Sequence, residues 1–176
     1  MSVKPNGLIQ LVWLVPLLVV LLQGCAQPVK QPMAMASRLD QILLAGKMRV
    51  GVAADAPPFA FIDRQGERQG FDIELMNEIA RRLGVKVTWV DAAYQQLPIQ
   101  VEKGKLDAAI GAVACAAEWN EQVDFSRAYH HTDAGSLCIA LPKGERVLVE
   151  EINNILADLN EEGFIAQKWR ESLAPR

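Results

Sequence analysis

The chain has 176 residues, 51% apolar and 22% charged, with 18 Lys and Arg against 21 Asp and Glu for a net charge of −3. That length suits one domain, the apolar content excludes a disordered chain, and the acidic balance argues against a nucleic-acid binder, which needs a basic patch to neutralise phosphates. Three cysteines are too few for a disulfide scaffold or a four-cysteine zinc site.

The chain opens on an apolar run, Leu8 to Leu22, interrupted only by Gln10. Fifteen residues of helix span about 22 Å, short of the ~30 Å hydrocarbon core of a bilayer. With Lys4 ahead of it and small Gly24 behind, the run reads as an export signal over residues 1–24. Leu22-Gln23-Gly24-Cys25 resembles a bacterial lipobox, in which the cysteine is acylated and becomes the first residue. Ala26 after it favours sorting to the outer membrane by the same resemblance. Cleavage there leaves 17 basic against 21 acidic residues, a net −4. Residues 25–36, with Pro28 and Pro32 and no periodicity, read as a tether. A folded domain is expected over 37–174.

Ser37 is placed to cap a short helix that Gly46 closes. Met48 to Ala53 reads as a strand, and Asp55-Ala-Pro-Pro58 as a loop, because proline cannot continue a ladder. Phe59–Ile62 and Gln69–Phe71 flank a polar turn. Ile73, Leu75, Met76, Ile79, Ala80 and Leu83 form the apolar stripe of a helix over 72–83, stopped by Gly84. Val85–Val90 is β-branched and predicts a strand. Pro98 suits the first turn of a helix running to Lys103. Leu106–Val113 is a continuous apolar run suited to a strand buried on both faces. Ser136–Leu141 predicts another strand, and Val147–Leu159 and Phe164–Leu173 two closing helices. Strands alternating with helices predict an α/β fold with a single, mostly parallel sheet flanked by helices.

Several stretches in order resemble the first lobe of family 3 bacterial extracellular solute-binding proteins, the amino-acid receptors of ABC importers. They are Gly46-Lys-Met-Arg-Val-Gly-Val, Ala56-Pro-Pro-Phe-Ala-Phe-Ile-Asp, Gly70-Phe-Asp-Ile-Glu-Leu, Glu78-Ile-Ala-Arg-Arg-Leu-Gly, Gly104-Lys-Leu-Asp-Ala-Ala and Val123-Asp-Phe-Ser. Ile139-Ala-Leu-Pro-Lys-Gly-Glu and Gly163-Phe-Ile-Ala-Gln-Lys-Trp169 resemble the family's closing segment. The resemblance implies one lobe of the type II periplasmic binding protein fold. In that family the chain leaves the first lobe, builds a second and returns. Here exit at Ser126 and return at Ser136 lie ten positions apart, so the second lobe has no counterpart.

By the same resemblance, lobe one holds an amino acid's carboxylate with an Arg, hydroxyls and backbone N–H groups; a guanidinium suits the task because it clamps a carboxylate at two points. Ala116 stands where the family has Thr, and Trp119 where it has Arg; Gly111, Ala112 and Ala114 supply no hydroxyl. Each lost charge-assisted bond costs about 1.5–3 kcal/mol, which predicts a weak or degenerate site. The remaining ligand candidates are Asp55, Phe59, Phe61, Tyr94, Gly111, Ala112 and Trp119. Phe59 and Phe61 read as packing before ligand contacts, Asp55 as a loop or cap residue before a ligand contact, and Trp119 either as a side chain packed over the shortened connection or as an anchor for another protein.

Cys115 and Cys138 fall near neighbouring strands and read either as a disulfide or as two buried thiols. His130-His131 with Asp133 belongs to a solvated connection; adjacent strand residues point to opposite faces and rarely share an ion, so no metal is expected. No cofactor is expected, and no nucleophile elbow, phosphate loop or metal-helix motif points to an enzyme. The expected function is a lipid-anchored periplasmic module related to amino-acid receptors. Its expected partners are a small amino-acid-like solute, a membrane transporter or another periplasmic protein, and the membrane through its anchor. The alternative is an interaction protein that docks another protein, or a second copy as a homodimer, on the former cleft face.

Overall fold

The computed structural model describes residues 37–174. The expected leader, Cys25 and the tether lie outside the described residues. Among the described residues, no helix is long and apolar enough to cross a membrane.

Helix α1 (Arg38–Ala45) starts at a capping box: the Ser37 hydroxyl accepts the Asp40 N–H, and the Asp40 carboxylate accepts the Ser37 N–H. Gly46 ends it in the left-handed conformation at φ 62°, which glycine adopts without strain. The chain then alternates through β1 (Lys47–Val52), β2 (Asp55–Ala56), β3 (Ala60–Ile62), β4 (Arg68–Gln69), α2 (Phe71–Arg82), β5 (Lys86–Asp91), α3 (Leu97–Glu102), β6 (Ala108–Ile110) and β7 (Val123–Phe125). It closes with β8 (His130–Thr132), β9 (Gly135–Leu137), β10 (Ala140–Pro142), α4 (Arg146–Glu161) and α5 (Phe164–Ser172).

The central sheet runs β5-β1-β6-β10-β7. β1 is parallel to β5 and β6, while β10 is antiparallel to β6 and β7. Four of the five strands therefore point one way, as the alternation predicts, and β10 is inserted against them. One face of the sheet, with Met48, Val50 and Ile110, packs on Leu75, Met76 and Ile79 of α2 and Leu148, Ile152 and Leu156 of α4. The other packs on Leu97, Val101 and Leu106. The stripe read from the sequence is the buried face of α2.

Four expectations are corrected. Leu106–Val113 pairs as a strand only over 108–110: Asp107 turns aside to accept the Arg49 backbone and guanidinium N–H groups, and Gly111 and Ala112 take positive φ of 115° and 54°. Ser136–Leu141 is two strands, because β9 pairs with β8 and β10 with the central sheet. Asp55–Ala56 is paired with Phe61 and Ala60 rather than loop, since both residues precede the prolines. The connection at 126–136 is not simply solvated: β8 and β9 fold it into a hairpin.

Candidate functional site

The first crossover carries the chain from β1 to β5 on one side; the second returns it past β1 to β6. In open α/β sheets such a reversal leaves a crevice outside the carboxyl ends of the strands. Three segments meet this end: Ala53–Asp55 after β1, Tyr94 after β5 and Gly111–Ala117 after β6.

Asp72 holds the third segment from beneath. It sits at the start of α2, fully buried, and its Oδ2 accepts the N–H of Gly111 at 3.2 Å and of Ala112 at 2.7 Å. Burial raises its pKa to about 6, against the pull of the Ala112 N–H, the Tyr129 hydroxyl and the Gly111 N–H. The Tyr129 hydroxyl and Asp72 Oδ1 do not complete a full hydrogen bond, and burial beside Asp72 pushes the Tyr129 phenol well above 10. Gly111 is required where it stands: with φ at 115°, a Cβ would lie 3.2 Å from the Ala53 backbone.

From above, the segment is covered by its own neighbours. The Tyr94 hydroxyl accepts the Ala114 N–H at 3.3 Å, and the Trp119 ring lies 5.0 Å from that of Tyr94. The Cys115 N–H goes to the Ser136 carbonyl and the Ala116 N–H to the Ala114 carbonyl. Cys115 and Cys138 form a disulfide with Cα atoms 5.3 Å apart, tying the segment to the chain just after β9.

Of the residues singled out in the sequence, Tyr94, Gly111, Ala112 and Trp119 converge on this crevice. Trp119 is half-buried and packs toward the core around Leu97. Asp55 is exposed in β2. Phe61 lies in β3, paired through its backbone with Asp55 and Gln69. Phe59 stacks on Trp169 at 5.4 Å.

Phe59 belongs to a second cluster that sequence reasoning missed. The His130 ring lies 4.1 Å from Trp169, 5.6 Å from Phe71 and 6.1 Å from Phe59. Burial, then the neighbouring His131, lowers the His130 pKa. His130 is thus the hairpin's inward contact and His131 its exposed face, bonded to Ser136 at 2.9 Å. Adjacent aromatic-capable residues on a strand carried that signal, but its partners are some 40 to 70 positions away.

Chemically, the crevice offers a phenol whose proton remains free to donate, an indole edge and small apolar side chains. Tyr94, Ala112, Ala114, Ala116 and Trp119 bring no positive charge. No cluster of three or more His, Cys, Asp or Glu able to hold a metal occurs among the described residues.

Residues 48–171 match the family described as bacterial extracellular solute-binding proteins, family 3. The chain is 31% identical over 83 residues to a probable histidine-binding protein of Campylobacter jejuni, covering 47% of this chain and 32% of that protein. It is also 31% identical over 96 residues to the cyclohexadienyl dehydratase of Pseudomonas aeruginosa, covering 54% of this chain and 36% of that one. The chain thus spans about a third of the length of the curated relatives it matches. Among solved structures, the arginine-bound form of domain 1 from TmArgBP is 36% identical, with a TM-score of 0.66 over 68% of this chain and 98% of that one.

Proposed function

The chain belongs to the bacterial extracellular solute-binding proteins, family 3, and on that premise we propose that it is a lipid-anchored, one-lobe periplasmic module whose solute site is degenerate. It is related to the amino-acid-binding periplasmic receptors of ABC transporters. The observation that carries the reading is the internal use of the crevice's donors. Gly111 and Ala112 give their N–H groups to Asp72, Ala114 to Tyr94 and Cys115 to Ser136. A carboxylate arriving there meets neither free donors from these groups nor a cation, and it must displace Tyr94 to gain one N–H. A single lobe is not in itself the obstacle, since domain 1 of TmArgBP is arginine-bound. The obstacle is what replaces the clamp, with Trp119 packed on Tyr94.

Catalysis is not part of this reading, although one relative is a dehydratase. The carboxylate that contacts the crevice backbone, Asp72, is buried beneath it. The docking alternative treats Trp119 as an exposed anchor; because its ring is spent on Tyr94, the solute-module reading is preferred. A transporter or other periplasmic protein remains the proposed partner, and the outer membrane the proposed site of the anchor.

Thermal unfolding of the mature chain against arginine, histidine and lysine at 1 mM tests the site. A ligand with a Kd of about 10 μM would add about 2.7 kcal/mol at that concentration and raise Tm by several degrees. The expected result is a shift below about one degree for each. A shift of several degrees with any of them overturns the degenerate site.

A further inference from the structure

The pole opposite the crevice, where β1, β5 and β6 begin, concentrates positive charge around exposed leucines. Helix α1 crosses it. At one end the Arg38 guanidinium reaches Asp107 at 3.3 Å and lies 3.0 Å from where a Cβ on Gly104 would stand. At the other, the Gly46 carbonyl accepts the Lys86 N–H at 3.1 Å. Ile42 faces the core at 2% exposure, while Leu43 and Leu44 are 45% and 85% exposed.

Lysines ring this helix. Lys47 and Lys86, both exposed, are register partners at the start of β1 and β5. Exposed Lys105 stands three residues before Ala108, whose partner Val50 stands three residues after Lys47. Lys47 and Lys86 therefore open adjacent parallel strands at one level, and Lys105 lies in the turn ahead of β6. Lys103 adds a further charge, while Glu102 beside it, Asp40 in the first turn of α1 and Glu145, which accepts the Arg38 N–H at 2.9 Å, oppose three, so that the lysines leave a local positive excess. Asp107 is already neutralised by Arg49 and Arg38. In a chain of net charge −3, this is a local reversal of sign.

We propose that this pole is a bilayer-contact surface for anionic phospholipid. Leu43 and Leu44 enter the headgroup region, and Lys47, Lys86 and Lys105 meet its phosphates, the pairing by which basic amphipathic surfaces hold to membranes. The chain's own course favours a membrane as occupant. The tether joins the domain at Ser37, at the first turn of α1, and Cys25 lies twelve positions earlier. A dozen extended residues reach at most about 40 Å, so an anchor at Cys25 would hold the entry of α1 within that distance of the leaflet. The placement rests on the anchored reading above; the surface itself does not.

The test uses the mature chain from Cys25 with Cys25→Ser, which removes the acylation site; residues 37–174 bury their own core and fold without it. Co-sedimentation is measured with vesicles rich in phosphatidylglycerol and with pure phosphatidylcholine. Selective binding to the anionic vesicles is expected, weakened by salt. A lysine near an anionic surface is worth about fivefold in partitioning, so Lys47→Gln, Lys86→Gln and Lys105→Gln together cost on the order of a hundredfold. Leu44→Ser costs a further few-fold. All four side chains are exposed, and an unchanged Tm confirms the fold of each variant. Equal binding to both vesicle types, no binding, or a triple variant that binds like the parent overturns the proposal. Mass spectrometry of Cys25 in protein extracted from cells tests the anchor separately. An acylated Cys25 without vesicle selectivity sinks the pole alone, whereas selectivity with an unmodified Cys25 sustains the surface and overturns the anchor.

Discussion

Asp72 keeps a carboxylate out of water with two N–H groups and a nearby phenol to compensate it. Its folded pKa, raised to about 6 from 3.8, means that between those values the folded state holds a proton the unfolded state releases. Stability contributed by this group is present below about pH 4 and is lost as pH rises through 6. The difference is roughly 3 kcal/mol. Asp72→Asn keeps an oxygen acceptor for Gly111 and Ala112 and carries no charge. Urea unfolding at pH 4 and pH 7 is expected to show this slope in the parent and its loss in the variant; an equal slope in both assigns it elsewhere. Tyr94→Phe removes the acceptor of the Ala114 N–H and is expected to cost about 1 kcal/mol in the same assay. The sequence singled out Tyr94, Gly111, Ala112 and Trp119 as ligand candidates, and the fold brings these four to one strand end. It did not mark Asp72, which reads as an ordinary residue in the first turn of a helix. Its burial follows from the strand end stacked on it, 39 positions away, and no local pattern carries that.

At the scale of elements, the hairpin of β8 and β9 is held at two places. Its inward face enters the Phe59, Phe71 and Trp169 cluster, and its far strand is tied to the crevice through Cys115 and Cys138. The disulfide spans 23 positions, and closing a loop of that size restrains the unfolded chain by about 3 kcal/mol. Replacing both cysteines with Ala is expected to lower stability by about that amount, read from the urea midpoint at constant m-value. Trp169→Ala opens the aromatic cluster and is expected to cost about 3 kcal/mol, with near-ultraviolet circular dichroism reporting the loss of ring packing. The helices and the parallel strands β1 and β5 were legible because their apolar periods and glycine stops are local, whereas β7 has only three residues and was not marked. The hairpin was not: His130-His131-Thr-Asp is polar, and only distant aromatic rings turn one of those histidines inward.

For the molecule as a whole, the domain is polar in the electrostatic sense. A crevice whose lining by Tyr94, Ala112, Ala114, Ala116 and Trp119 carries no cation lies at the carboxyl ends of its strands, and a basic, leucine-bearing surface at their amino ends. Restoring charge to the crevice tests whether its failure to suit a carboxylate is a matter of one residue. Trp119→Arg introduces a guanidinium but leaves Tyr94 on Ala114 and Asp72 on Gly111 and Ala112. The expected result is no Tm shift with 1 mM arginine or histidine beyond the parent's; a shift of several degrees would trace the lost site to position 119 alone. Family membership and the single-lobe organisation were legible in the order of short motifs. How the crevice is filled was not, because it depends on which of several backbone donors each side chain takes.

The place of β10 bears on the order in which the protein assembles. It lies between β6 and β7, so those two strands share no ladder until residues 140–142 arrive to join them. A nascent chain that has emerged only as far as residue 133 has β5, β1 and β6 but an open flank, and α4, which covers one face of the core, is still to come. Long-range pairing of this kind delays closure until most of the sequence is present. The polypeptide therefore lacks its closed sheet through most of its synthesis.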